Sequence, residues 1–311
     1  MSGNEYIWCR GRVMPSDEAT VNVMSPTAQF GLNVFEGVRG YWNHEEQVLY
    51  FFRLHDHLKR LFDSCKLMGF DVPYSGNQIW NAISELSKKS EFRQDVALRI
   101  TVFADGVGTW SSAGPFDMFI SPLNKPRLQQ GNIRGLKACI SSRNRITDQT
   151  MPPRIKTGAN YVAGRYAHLE AIRAGFDVPI FLNGNGYVSE GAGAAVFLVR
   201  NGVIITPSLQ SSILESVTRD TIICLAKQFR IPVEERLVDR TELELADEVF
   251  FCGTAAEITP IISVNNMAVG SGVAGQLTLK LLDAYHRLAT NQNRYDLPDD
   301  WLTQNTPEAF E

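Results

Sequence analysis

The apolar positions in the first third of the chain fall into two helical stripes set between strand-like runs. Leu54, Leu58, Leu61, Phe62, Cys65 and Met68 recur at the spacings of one helical face, which predicts an amphipathic helix over 55–69 closed by its final glycine. Arg60 lies off that stripe. Ile79, Trp80, Ile83 and Leu86 mark a second helical face, and the run of Val, Leu, Ile, Thr and Phe over 96–104 predicts a strand. This order suits a small α+β domain over 1–123. Residues 124–134 lose all periodicity and collect Pro, Gly and Asn, as an interdomain connection does. The remainder, 135–311, reads as a larger second domain. In it, 196–199 and 203–206 flank Asn201-Gly202, a dipeptide suited to positive φ in a tight hairpin. Residues 218–229 then read as a helix packed on that sheet, and the last fifteen or so residues as a loosely attached tail.

Composition narrows the function classes. Of 311 residues 44% are apolar and 21% charged, enough for a sizeable core and two domains of about 150 residues each. Lys and Arg number 30 against 34 acidic residues, so the net charge of -4 provides no field for a polyanion, and nucleic acid is not expected as a partner. The five cysteines are widely spaced and form no C-x-x-C pair, which argues against zinc and disulfide frameworks. Residues 1–10 hold no basic-then-apolar leader and no stretch approaches a membrane span, so a cytoplasmic protein without a membrane partner is expected.

Candidate chemistry is scattered. His55 and His57 point in different directions on a helix and have no third ligand in view, so they read as solvated or capping residues and no metal site is expected. The glycine cluster over 184–193 has Ser189 where a dinucleotide loop needs its third glycine, and a hairpin follows it rather than a crossover helix. It reads as a turn-rich connection in which Glu190 is a carboxylate that a flat cationic ring can approach. Lysine is sparse, at nine, and Lys156 occupies an aperiodic stretch just before a helix that begins near Asn160. A buried lysine loses its charge readily, and the neutral amine forms Schiff bases. Thr218-Arg219 ahead of a helix, and 253–257 after a strand over 248–252, read as helix starts with a hydroxyl and exposed amides, which either bind phosphate or simply cap. Together these are the parts of a pyridoxal 5′-phosphate site: a Schiff-base lysine, an acid for the ring nitrogen, and donors for phosphate.

The strings Phe35-Glu36-Gly37-Val38-Arg39, Arg53 to Leu61, Lys156-Thr-Gly-Ala-Asn-Tyr161, Gly186 to Gly191, Thr218-Arg219 and Leu245 to Pro260 run in order over nearly the whole chain. In order and spacing the chain resembles the branched-chain amino acid aminotransferases of the fold type IV pyridoxal phosphate class. The resemblance implies an α/β protein with an α+β N-terminal domain, an α/β-barrel-like C-terminal domain and the cofactor in the cleft between them. It implies that Lys156 is the catalytic lysine, that Glu190 pairs with the ring nitrogen and that Tyr161 bonds the phenolic oxygen. Arg60, Val217, Thr218 and Thr254 match the phosphate-holding positions, and Leu214 the residue packed on the ring. For substrate, Phe35, Gly37 and Arg39 match a pocket wall, Arg99 an arginine for the glutamate carboxylate, and Thr254 and Ala255 the turn that takes the α-carboxylate. The implied reaction is ping-pong transfer from an L-amino acid to 2-oxoglutarate, in at least a homodimer, with amino acids and 2-oxo acids as the small-molecule partners.

Departures from the family pattern keep an alternative open. Phe30 and Ala97 stand where the family carries tyrosines, and Trp110 stands where a smaller residue of the partner subunit closes the pocket. Ala194-Ala195 and Glu215-Ser216 replace Glu-Asn and Pro-Gly. A lost donor to a carboxylate costs on the order of 1.5 to 3 kcal/mol. The alternatives are a fold type IV transaminase shifted toward aromatic or unusual L-amino acids, D-amino acids or amines, and a relative that no longer turns over.

Overall fold

The computed structural model of the protein describes residues 5–129, 131 and 133–305. Its N-terminal part runs β1 (Tyr6–Cys9), β2 (Arg12–Pro15), α1 (Pro26–Phe30), β3 (Asn33–Asn43), β4 (Val48–Phe52), α2 (Leu54–Met68), α3 (Gly76–Ser90), β5 (Val96–Ala104) and β6 (Phe116–Asn124). Gly69 ends α2 in the left-handed conformation, φ 67°, and a Ser75–Gln78 capping box starts α3. Both stripes bury as their spacing dictates. Leu58, Leu61, Cys65, Ile79, Ile83 and Leu86 pack on Val34, Val38, Leu98, Ile100 and Val102 of the sheet. Because side chains alternate along a strand, this packing leaves Phe35, Gly37 and Arg39 of β3 and Ala97 and Arg99 of β5 on the opposite face.

The second part contains β7 (Leu136–Asn144), α4 (Asn160–Arg173), β8 (Val178–Leu182), β9 (Val188–Gly191), β10 (Ala195–Arg200), β11 (Val203–Pro207), α5 (Val217–Gln228) and β12 (Val233–Arg236). It continues with α6 (Arg240–Glu244), β13 (Glu248–Gly253), β14 (Glu257–Val264), β15 (Met267–Ala268) and α7 (Gln276–Ala289). These strands form a mixed sheet in the order β12-β11-β10-β13-β14-β7-β8-β9, with β15 on β14. The Val188 N–H donates to Val238 O at 2.9 Å, so β9 at one edge reaches the chain leaving β12 at the other and the sheet curls on itself. Helices α5 and α7 cover it with Ile222, Leu225, Leu281 and Leu282 against Phe197, Phe250 and Ile258. The expected hairpin joins β10 to β11, with Asn201 at φ 51° and Gly202 at φ 76°.

The C-terminal tail needs correction. A last strand, β16 (Leu302–Asn305), pairs with β4 and completes the first sheet as β16-β4-β3-β5-β6-β1-β2. Trp301 just before it is buried against Phe52 and beneath the Arg53 guanidinium, 3.9 Å from the ring centroid. That contact joins residues over 240 positions apart, beyond the reach of local pattern. Residues 306–311 of the expected tail, and 130 and 132 of the expected connection, lie outside the described residues. Among the described residues no helix is long and apolar enough to cross a membrane.

Candidate active site

A cavity of about 450 Å³ opens between the free face of the first sheet and the second sheet, and both supply its walls. Lys156 sits in it without belonging to any helix or strand, yet its backbone is pinned on both sides. Its carbonyl accepts from Phe35 N–H at 2.9 Å, its N–H donates to Ser64 Oγ at 3.1 Å, and Thr157 Oγ1 donates to Asn33 O at 2.6 Å. A stretch that is aperiodic in sequence thus becomes a short bridge onto β3. Lys156 Nζ donates to the hydroxyl of Tyr161 at 2.7 Å, with Tyr161 in the first turn of α4 and its ring 5.1 Å from that of Phe35.

Glu190 faces the same cavity from β9 and is buried, not a solvated turn residue. Its Oε1 lies 2.6 Å from Arg145 Nη2, and its Oε2 accepts from the Leu214 N–H at 3.1 Å. Burial pushes its carboxyl above the usual carboxylate range, and Arg145 opposes that push. Arg145, just past β7, is held by its own N–H on Leu182 O at 2.8 Å, and its buried Nε has no hydrogen-bond partner. Sequence reading passed over Arg145 because nothing local distinguishes it from other arginines.

At another end of the cavity, Ser216 caps α5 by accepting from Arg219 N–H at 3.2 Å, which leaves the first-turn amides of Val217 and Thr218 without intrahelical acceptors. Leu214 and Ser216 line the cavity; the side chains of Val217 and Thr218 are buried beside it and do not. Arg219 turns away to Pro207 O and Glu235. Arg60 does line the cavity, and its Nη1 donates to Glu215 O at 2.7 Å. Its Nε and Nη2 grip Glu36 at 2.6 and 2.8 Å. His57 Nδ1 lies 2.8 Å from Glu36 Oε2, so His57 is a buried partner of that carboxylate rather than a solvated cap, while His55 is exposed. Burial opposes the charge on Glu36, but Arg60 and His57 outweigh it and hold the carboxyl well below its usual range.

Residues 253–257 form the turn of the β13–β14 hairpin, with Gly253 paired to Glu257, and not the helix start expected from sequence. Gly253, Thr254 and Ala255 line the cavity. Glu257, buried at φ 50°, accepts from Leu128 N–H at 2.6 Å and Tyr41 OH at 2.9 Å, and pairs with Arg39 Nη1 at 3.2 Å. Arg39, Phe35, Gly37, Ala97 and Arg99 make the opposite wall. Two expected residues lie elsewhere. Phe30, on α1, is 46% exposed, and Trp110, on the 105–115 loop, is 71% exposed; neither lines the cavity of its own chain. Leu123 and Lys125, which sequence reading placed at the domain boundary, do line it. Among the described residues no group of His, Cys, Asp and Glu side chains is arranged to hold a metal ion.

The cavity therefore brings together an amine beside a phenol, a buried carboxylate held by a guanidinium, and a helix start beside an arginine. This donor set fits a flat cationic ring carrying an anionic phosphate. Known proteins point the same way. The family described as amino-transferase class IV matches residues 33–264. The branched-chain-amino-acid aminotransferase of Escherichia coli (strain K12) is 38% identical over 305 residues, covering 96% of each chain. The crystal structure of the branched-chain amino acid aminotransferase from Thermobaculum terrenum in its PLP-form superposes with a TM-score of 0.91 at 40% identity, covering 98% of this chain and 100% of that one. The crystal structure of the branched-chain aminotransferase from Thermoproteus uzoniensis with norvaline gives a TM-score of 0.90 at 37% identity, covering 98% and 100%.

Proposed function

This chain belongs to the amino-transferase class IV family, and from that premise we propose that it transfers the amino group of a branched-chain-type L-amino acid to 2-oxoglutarate in two successive half-reactions. It is an aminotransferase of the branched-chain type, of the fold type IV class, and its cofactor is pyridoxal 5′-phosphate. The observation that carries the residue assignments is the contact of Lys156 Nζ with Tyr161 OH in the cavity that also holds buried Glu190.

Bound there, pyridoxal 5′-phosphate supplies an electron sink for negative charge developed at the substrate α-carbon. Lys156 would be the residue that holds the cofactor covalently, and its amine would carry the proton between the substrate α-carbon and C4′. Glu190, paired with Arg145 at 2.6 Å in its buried setting, would hold a proton on the ring nitrogen. Tyr161 would hydrogen-bond the phenolic oxygen, and Leu214 would pack on the ring. Arg60, the free amides of Val217 and Thr218, and Thr254 hold the phosphate. The turn amides of Thr254 and Ala255 take the α-carboxylate, while Phe35, Gly37, Arg39 and Ala97 bound the side chain and Arg99 meets the acceptor's distal carboxylate. Donor and acceptor use one cavity, so the donor leaves as its 2-oxo acid before the acceptor enters. Exposed Trp110 and Phe30 belong, in this reading, to a homodimer in which Trp110 reaches the partner's cavity. The protein works in the cytoplasm on small molecules.

The test is an absorbance spectrum of the purified protein with pyridoxal 5′-phosphate, beside Lys156→Ala, before and after a panel of L- and D-amino acids. The expected result is a near-visible band that the variant lacks and that Leu, Ile and Val in the L form bleach. A wild-type protein without the band would remove Lys156 from the chemistry.

A further inference from the structure

On the first-sheet wall, Gly37 of β3 stands opposite Arg99 of β5, which stands opposite Ser121 of β6; one step along, Arg39 stands opposite Ala97 and Ala97 opposite Leu123. Lys125, two residues past Leu123, continues that alternation just beyond the end of β6 and lines the same cavity. Its backbone is fixed there by Arg39 Nη2, which donates to the Lys125 carbonyl at 2.7 Å.

The charges lining the cavity do not balance. Glu36 is held by Arg60 and His57, and Glu190 by Arg145. Arg39 pairs with Glu257, and Lys156 bonds Tyr161. Arg99 and Lys125 remain, and among the described residues neither has a carboxylate at ion-pair distance. The Arg99 guanidinium lies over the Phe35 ring, 3.7 Å from its centroid, and is half-buried. Two uncompensated cations on one wall, with the small residues Gly37 and Ala97 near Arg99, leave room and charge for an anion. An aliphatic side chain would leave both unpaired.

We infer that Lys125 joins Arg99 in an anionic subsite for the distal carboxylate of a dicarboxylic substrate, which makes Lys125 a specificity-determining residue. This rests on the aminotransferase reading above. With the α-carboxylate at the 253–255 turn on the opposite wall, the subsite engages the second carboxylate of 2-oxoglutarate or glutamate while the reacting carbon stays beside Lys156.

The test compares the wild-type holoenzyme with Lys125→Met and Lys125→Arg, using two readouts. The first is the ratio of kcat/KM for 2-oxoglutarate to that for 4-methyl-2-oxopentanoate. The second is the calorimetric Kd of glutarate, a dicarboxylate that cannot react. Lys125→Met is expected to lower the ratio and weaken glutarate by about tenfold each, as loss of one partly exposed charged partner does, and Lys125→Arg to retain both. Ratio and Kd unchanged in Lys125→Met would overturn the subsite. If the wild type transaminates nothing, the aminotransferase reading fails, and the glutarate titration still decides the subsite.

Discussion

Arg145 Nη2 lies 2.6 Å from Glu190 Oε1, and both side chains are shut away from solvent. Burial raises the Glu190 carboxyl, and Arg145, then the Leu214 N–H, then Lys156 pull it back. Removing the guanidinium lets burial act with less opposition. In Arg145→Met the carboxyl therefore takes up its proton at higher pH, and the acid limb of the half-reaction with L-leucine moves upward. Single-turnover pH profiles of both proteins check this, and coincident acid limbs would remove Arg145 from the role.

Glu36 titrates the other way. Its folded carboxyl is held well below the ordinary value of 4.5, so the stability it contributes is present above that pH and is lost as pH falls toward the folded value. Glu36→Gln breaks a buried pair on one side and is expected to cost about 3–5 kcal/mol at pH 7. Urea titrations should show the gap from wild type narrowing once the pH drops below about 4. A gap that stays constant with pH would mean the carboxylate is not the stabilising form.

Tyr161→Phe keeps the ring beside Phe35 and deletes only the hydroxyl that Lys156 Nζ meets. One lost hydrogen bond to a charged group corresponds to roughly 10- to 150-fold in kcat/KM. Steady-state kinetics measure this, and a variant within twofold of wild type would show that the contact does not serve turnover.

A Cβ added at Gly164 of α4 would lie 2.8 Å from the carbonyl oxygen of Ala192. In an open helix Gly→Ala stabilises by about 0.8–1.0 kcal/mol. Here the helix must move off the 192–193 turn, so a net loss of about 1–3 kcal/mol is expected in Gly164→Ala. Because α4 carries Tyr161 and the turn follows Glu190, the cofactor should also bind more weakly. Thermal unfolding and cofactor titration test both, and a raised Tm would refute the steric account.

Trp301 reaches the proposed phosphate end through Arg53. Arg53 Nη1 donates to Asp220 at 2.6 Å and Thr221 at 3.1 Å in the first turns of α5. Trp301→Ala is expected to cost about 3–5 kcal/mol of stability and to weaken cofactor binding through α5. Stability lost with cofactor affinity unchanged would confine Trp301 to the core.

Local pattern carried much of this protein. The stripe of Leu58, Leu61 and Cys65 made α2, the run over 96–104 became β5 end to end, and Asn201-Gly202 turned the hairpin. Each is decided by forces acting over a few residues: burial of one face, β-branched packing and the freedom of glycine at positive φ. Lys156 and Glu190 stand out in the sequence by their settings, a sparse lysine in an aperiodic stretch and a carboxylate among glycines, while Tyr161 and Arg60 are legible only in the ordered, spaced strings of a family resemblance.

Tertiary structure decided the rest, because the deciding partners are distant along the chain. His57 became buried when Glu36, 21 residues away, came within 2.8 Å. Arg145, just past β7, gained its partner from Glu190 on β9, and the 253–257 segment became a turn because Glu257 pairs back to Gly253 while its carboxylate bonds Tyr41 and Leu128. Residues 302–305 became a strand because β4 offered an unpaired edge to them. Lys125 reads as a linker residue until strand register sets it on the wall with Arg99. The order of residues sets which side chains can carry charge, protons and apolar surface; the fold sets which of those charges are left without a partner, because pairing and desolvation depend on distance in space.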